Sequence, residues 1–288
     1  MLEAIGLITF GFFVGAYGTL VGIGGGPLIV PMLALAYRYP PNAVISVSLF
    51  AIFFNTLSGT IAYMRQKRVD IVSGTKFGLA TIPGAFLAAF AVDYIRMRTF
   101  SISFGLFLLA LAFYVLARPK ESEAPRSRQN PVNPAHRTFP TDAPAHRGCI
   151  EKILAERTIE DSMGNVYRYR VNEPAGVGIA ALIGAASAFL GIGGGVIQVP
   201  ALIYLLSFPV HIGTATSHYI TAISALFALI PFAAHGDVVY RAAVPLSAGV
   251  AAGAQVGARI STKVSGKDLV RLLTPVFILM GTKLLFFG

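Results

Sequence analysis

A five-residue glycine phrase is written twice in this chain, at matching places. Gly22-Ile23-Gly24-Gly25-Gly26 is followed, after four more residues, by Pro31, and Gly191-Ile192-Gly193-Gly194-Gly195 is followed in the same way by Pro200. Both copies lie inside apolar stretches. A glycine run at membrane depth exposes main chain that lipid cannot satisfy, so it survives only when buried in protein or lining a cavity. Two such breaks in equivalent places of two halves are the sequence sign of a transport site.

Composition agrees with a membrane setting. The chain is 55% hydrophobic and only 12% charged, and soluble domains carry about twice that charge. Ala43–Tyr63 and Ile71–Val92 run near the length needed to cross a hydrocarbon core of roughly 30 Å, with Lys76 near an end, where it can snorkel. The runs are continuous, unlike the short alternating segments of a barrel. The start of the chain reads as a first membrane helix, because Glu3 stands where a signal peptide would be basic. A single cysteine, Cys149, excludes an internal disulfide and a cysteine-cluster metal site.

A shift of 169 residues lays the second half on the first. Pro31 falls on Pro200, Pro40 on Pro209, Ser48 on Ser217, and Gly84-Ala85 on Gly253-Ala254. The fold class expected is all-α integral membrane, with two inverted-topology repeats of about five helical segments and broken or short helices at the glycine phrases. Residues 1–117 form the first repeat, 118–173 a polar linker, and 174–288 the second repeat. The first-half segments are Ala4–Val21, Pro27–Tyr37, Ala43–Tyr63, Ile71–Val92 and Thr99–Ala117. The second-half segments are Pro174–Leu190, Val196–Ser207, Ile212–Ala234, Ala242–Ile260 and Lys267–Phe287. Each half's second segment spans about 17 Å as a helix, roughly half a bilayer.

The linker is rich in Pro, Arg and Ser up to Arg147, a composition that does not build a core. Further on, Arg157–Glu160 and Val166–Arg170 flank Met163-Gly164-Asn165, which predicts a small hairpin acting as a structural cap. The net charge of +10 gathers in loops, as it does where membrane proteins set their orientation. Placing Arg65–Arg68, the linker and Arg259–Lys267 on the cytoplasmic side puts both termini outside and inverts the two halves. Basic loops of this kind meet anionic lipid rather than nucleic acid.

The glycine phrases carry the chemistry. Adjacent glycines let main-chain N–H groups face a ligand without a Cβ in the way. Each phrase leads into a short helix, whose start offers free N–H groups and partial positive charge. The candidate substrate-binding residues are therefore Gly22, Gly24, Gly25, Gly26, Gly191, Gly193, Gly194 and Gly195. Ser48, Asn55, Gln198, Thr216, Ser217 and His218 add donors from within the spans. Close helix packing and interhelical hydrogen bonds are the competing reading of these same residues. No carboxylate sits deep in an apolar span, so a site built on buried Asp or Glu is not expected and the substrate is a small anion. A coupling ion, proton or sodium, is the expected partner besides the lipid bilayer. No cofactor, no metal and no catalytic residue is expected, and no P-loop is present.

The doubled GxGGG-x4-P pattern, with Thr214-Ala215-Thr216-Ser217 opening a third segment, resembles the TauE/SafE family over the whole chain except the linker. The first half departs, because Val44–Ser48 lacks the threonines. The resemblance implies gradient-driven export of sulfite, sulfoacetate or related organosulfur anions by alternating access. An anion channel using the same site, and an intramembrane enzyme or assembly factor, are the alternatives. The latter requires a reactive residue deep in a span, and only His218 approaches that description.

Overall fold

The computed structural model describes residues 2–91, 97–117 and 154–264, and single positions between 275 and 285. Most of the linker before residue 154, and most of the expected segment Lys267–Phe287, lie outside the described residues. The first half runs α1 (Leu2–Val21), α2 (Gly26–Ala36), α3 (Pro41–Arg65), α4 (Ile71–Ala91) and α5 (Met97–Ala117). Two strands follow, β1 (Leu154–Glu160) and β2 (Val166–Asn172). The second half runs α6 (Glu173–Leu190), α7 (Gly195–Pro200), a π-helical turn at Ala201–Leu205, α8 (Val210–His235) and α9 (Tyr240–Ile260). The protein is an all-α membrane protein with one small hairpin. Among the described residues, four helices, α1, α3, α6 and α8, are long and apolar enough to cross a membrane.

The helix boundaries follow local chemistry. Pro40 and Pro209 cap α3 and α8 in extended geometry, a conformation their fixed φ suits. The Asn172 side chain accepts the N–H of Ala175 at 3.1 Å and so caps α6. Gly191 and Gly236 end α6 and α8 in left-handed geometry, as C-terminal glycines do. Where the sequence predicts one helix over Val196–Ser207, the chain forms α7 and then the π-helical turn. Pro200 sits at that junction and lacks the N–H that would continue the α-ladder.

The main packing partners of the helices lie in the opposite half. Helix α1 lies along α9 and α4 lies along α6, while α3 and α8 pair at the centre and touch α9 and α4 respectively. The 169-residue shift turns α1 into α6 and α4 into α9, so the two pairings are images of each other. Lipid is as apolar as a leucine core, so close approach rather than water exclusion holds such helices together. A Cβ on Gly11 would stand 2.6 Å from the carbonyl oxygen of Leu246, and one on Gly84 would stand 2.7 Å from that of Ala181. The backbone repeats as well. Arg38 and Ser207, one shift apart, are both left-handed, with φ of 52° and 58°, and so are Lys67 and Gly236.

Strands β1 and β2 pair antiparallel, with Leu154 opposite Asn172 and Glu160 opposite Val166. Val171, Tyr167 and Tyr169 turn inward onto Phe77, Leu202, Leu206, Phe208 and Ile212. The hairpin is thereby fixed over one end of the bundle.

Candidate functional site

The two breaks meet. Residues 22, 24 and 25 have φ of 93°, 74° and 86°, and residues 191, 193 and 194 have φ of 67°, 69° and 93°. This is the left-handed region that favours glycine. A Cβ on Gly26 would lie 2.9 Å from Ile192 Cα, and one on Gly195 would lie 2.8 Å from the Ile23 carbonyl carbon. The starts of α2 and α7 therefore touch main chain to main chain, with Ile23 and Ile192 wholly buried between them.

Two serines brace the crossing. Ser48 on α3 donates to the Gly191 carbonyl at 2.8 Å, and Ser217 on α8 donates to the Gly22 carbonyl at 3.2 Å. The bonds are equivalent under the shift and each joins one half to the other half's break. The hydroxyl protons expected at an anion are spent on carbonyls instead. Ser48 and Ser217 position the breaks.

Donors remain. Among the described residues, the N–H groups of Gly25, Gly26, Gly193, Gly194, Gly195 and Val196 find no backbone acceptor. Several buried side-chain atoms around the crossing also have no partner: Ser187 Oγ, Thr214 Oγ1, Thr221 Oγ1, Asn55 Nδ2 and His218 Nδ1. A Cβ placed on Gly194 would meet Ser187 Oγ at 3.5 Å and Thr221 Oγ1 at 3.9 Å. Unpaired buried polar groups each cost about 1–3 kcal/mol, so a concentration of them calls for a reason. Among the described residues, nothing charged joins them. The buried ionic residues Arg68, Asp70 and Asp161 lie at the hairpin end.

The space between the breaks is closed. A Cβ on Gly22 would come 2.6 Å from Thr214 Cγ2, and one on Gly193 would come 2.5 Å from Ile52 Cγ2. An open hollow of about 530 Å³ lies elsewhere, among Gly84, Leu87, Ser103, Ala185 and Phe189. Its lining is mostly apolar.

Of the other expected residues, Gln198 is buried in α7 and Asn55 is buried in α3. Asn55 Oδ1 accepts from Thr19 Oγ1 at 3.2 Å. His218 Nε2 stands 3.3 Å from the same Thr19 oxygen, and its ring meets Tyr63 edge to face at 5.5 Å. Thr216 faces away from the breaks and accepts the Asp70 N–H at 3.0 Å.

That last bond leads to a latch at one end of the central pair. Asp70 also accepts from Tyr169 Oη at 2.9 Å and from the Ser73 N–H at 3.0 Å, with Arg157 at 3.8 Å. Arg68, itself buried, reaches Asp161 at 3.4 Å. At the other end of α3 and α8, Asp237 takes bonds from Asn42 at 2.8 Å and from Ser46 at 2.9 Å. Both ends of the α3–α8 pair are therefore tied by polar contacts, one of them through the hairpin.

Sequence reasoning missed Ser187, Thr19 and Tyr63. Thr221 was legible, because it follows Ser217 by one helical turn on the same face of α8. Ser187 gives no such signal, since its repeat counterpart is Gly18.

The family described as Sulfite exporter TauE/SafE matches residues 7–284. A probable membrane transporter protein of Bacillus subtilis, YunE, is 31% identical over 98% of this chain and 97% of its own length. A probable membrane transporter protein of Methanocaldococcus jannaschii is 29% identical over 44% of this chain and 50% of its own. The Escherichia coli probable membrane transporter protein YfcA is 28% identical over 43% and 46%. No solved structure matches the chain.

Proposed function

The chain belongs to the sulfite exporter TauE/SafE family, and from that premise we propose that it is a secondary transporter exporting small sulfur-containing anions. Sulfite, sulfoacetate and related organosulfur compounds are the substrate class. The observation that carries this reading is the meeting of two glycine breaks whose N–H groups find no backbone acceptor, beside unpartnered hydroxyls and an amide. Neutral donors of this kind solvate an anion without burying a cation first, and the start of α2 adds its dipole.

In this reading Gly24–Gly26 and Gly193–Gly195 supply main-chain donors. Ser187, Thr221 and Asn55 complete the cradle, and Gln198 flanks it. Ser48 and Ser217 hold the carbonyls back so that the N–H groups face inward. The closed packing at the crossing, latched at both ends, supports a carrier that alternates rather than a channel. The reciprocal partner exchange supports two inverted repeats that rock against each other about the breaks. Loop charge supports termini outside and the hairpin on the cytoplasmic side.

The test is a flux screen in proteoliposomes. Sulfite, thiosulfate, sulfoacetate and sulfate are offered with and without proton and sodium gradients. Saturable uptake of at least one sulfur anion, abolished in Gly194→Val while the protein still inserts and elutes as a single species, is the expected result. Equal flux in the wild type and in Gly194→Val removes the site assignment.

A further inference from the structure

Among the described residues, His218 is an ionisable group buried at the heart of α8, with no exposed surface, that the substrate reading leaves without a task. Its surroundings define the state of its two nitrogens. Thr19 Oγ1 donates its one proton to Asn55 Oδ1 at 3.2 Å. The same oxygen lies 3.3 Å from His218 Nε2 and therefore has only a lone pair to offer the ring. With the Asn55 amide turned so that Oδ1 faces Thr19, Nε2 is the protonated nitrogen. Nδ1 is left as a bare acceptor, buried and without a partner. The backbone carbonyls of Thr214 and Gly22 flank the imidazole. A lone pair beside carbonyl oxygens makes no bond; an N–H there would.

We propose that His218 is the coupling-proton site of the transporter, taking up a proton at Nδ1 when the crossing opens to water and releasing it on the other side. The inference rests on the transport reading above. The proton forms one N–H bond at Nδ1 and leaves by breaking it, so nothing is consumed.

The geometry ties this proton to the break. A new N–H on the ring brings a donor to the carbonyl of Gly22, the group Ser217 holds at 3.2 Å. It also places one positive charge beside the anion cradle, which otherwise contains only neutral donors. The elements packed on His218 set few competing charges. Helix α1 presents Thr19, and the break that follows it presents the Gly22 carbonyl. Helix α3 presents the titratable Tyr63, whose hydroxyl is committed to the Thr19 carbonyl at 2.7 Å, and Gly59, where a Cβ would stand 2.6 Å from the ring. Helix α8 itself adds Thr214 and Ser217. The buried carboxylates Asp70 and Asp161 belong to the hairpin end and are occupied with Arg68, Arg157 and Tyr169.

The test has two independent readouts. In proteoliposomes, uptake of labelled sulfite and of sulfoacetate is measured by counterflow and under an imposed pH gradient, and the ratio of the two is the coupling. In His218→Gln the gradient-driven excess over counterflow is expected to vanish, whatever the absolute rate. In Thr19→Val, which removes the acceptor at Nε2, it is expected to fall at least several-fold. A His218→Gln protein that concentrates either anion on a pH gradient as the wild type does overturns the inference and leaves transport standing. The second readout needs no substrate. Histidine-selective nitrogen NMR of the wild type, with the resonance assigned by its loss in His218→Gln, is expected to show the Nε2–H tautomer at neutral pH. The Nδ1–H tautomer would overturn the inference, because the proton site would already be filled. A wild type that moves none of the four anions brings down the transport reading instead.

Discussion

Ser48 donates its hydroxyl to the carbonyl oxygen of Gly191 at 2.8 Å, so that α3 of one half holds the chain break of the other. Its image, Ser217 on Gly22, is longer at 3.2 Å. Ser48→Ala is expected to lower stability by about 1–2 kcal/mol, the cost of leaving a buried carbonyl unpaired, and Ser217→Ala by less. Thermal unfolding in detergent measures both. A larger loss in Ser217→Ala would show that the braces are not ranked by their geometry.

The unpartnered hydroxyls should trade stability for work. Thr221→Val and Ser187→Ala each remove a buried polar atom that has no partner. Replacing an unsatisfied group by an apolar one is neutral or stabilising. The melting temperature is therefore expected to stay or rise, while sulfur-anion uptake falls at least ten-fold. Destabilised variants with normal uptake would mean that these atoms serve packing.

Glycine is required at the crossing for two different reasons, and alanine separates them. At Gly26 an added Cβ meets the main chain of Ile192 at 2.9 Å, so Gly26→Ala must push the breaks apart. At Gly194 the space is free to 3.5 Å, and only φ of 93° opposes a side chain; such strain costs about 1–3 kcal/mol. Uptake is expected to be lost in Gly26→Ala and reduced in Gly194→Ala, with flux and melting read on the same preparations.

The hairpin latch should loosen in acid. Burial pushes the Asp161 carboxyl up. Hydrogen bonds from the Asn165 side chain, from the Asn165 and Met163 N–H groups, and the Arg68 charge outweigh that burial and hold it below its usual value. A depressed carboxylate contributes stability above its unfolded pKa, and that contribution is lost as the pH falls through the folded one. Protection of the hairpin amides against hydrogen exchange is therefore expected to drop below about pH 4. Asp161→Asn should show reduced protection at neutral pH and a flatter acid response.

The same end of the protein should respond to base in the opposite sense. Burial, with the Asp70 carboxylate next to it, pushes the Tyr169 phenol up from its usual range. A raised group stabilises fully below its unfolded pKa and ceases to do so as the pH climbs through the folded one. Above about pH 10 the docked hairpin holds a phenol that the free chain would ionise, so docking weakens there. In Tyr169→Phe the alkaline loss of protection should shrink to the part carried by Tyr167, whose buried phenol beside Asp161 is also pushed up.

Much of the frame was legible because it is local. The glycine phrases, the prolines around them and the hydroxyl stripe on α8 are read off spacing alone, and the start of each half-helix falls within a residue of expectation. The sequence even signals the hairpin through Met163-Gly164-Asn165. The functions of Ser48, Ser217 and Thr216 were not legible, since periodicity says which face a residue takes but not which atom meets it from the other half. Ser48 reads as a free donor until Gly191 is seen beside it. Thr216 reads as part of the cradle until its bond to Asp70 turns it toward the hairpin. The π-helical turn after Pro200 also escaped, because proline marks a disturbance without stating its form.

The exchange of partners between halves, α1 with α9 and α4 with α6, constrains how such a chain could have arisen. A single ancestral half would have left its first and fourth helices without the surfaces they fit. It would have needed a second copy of itself to supply them. Joining two such halves in one chain requires only a tether between them. Divergence afterwards was free to place Thr221 where the other copy keeps Ile52, and His218 where it keeps Leu49.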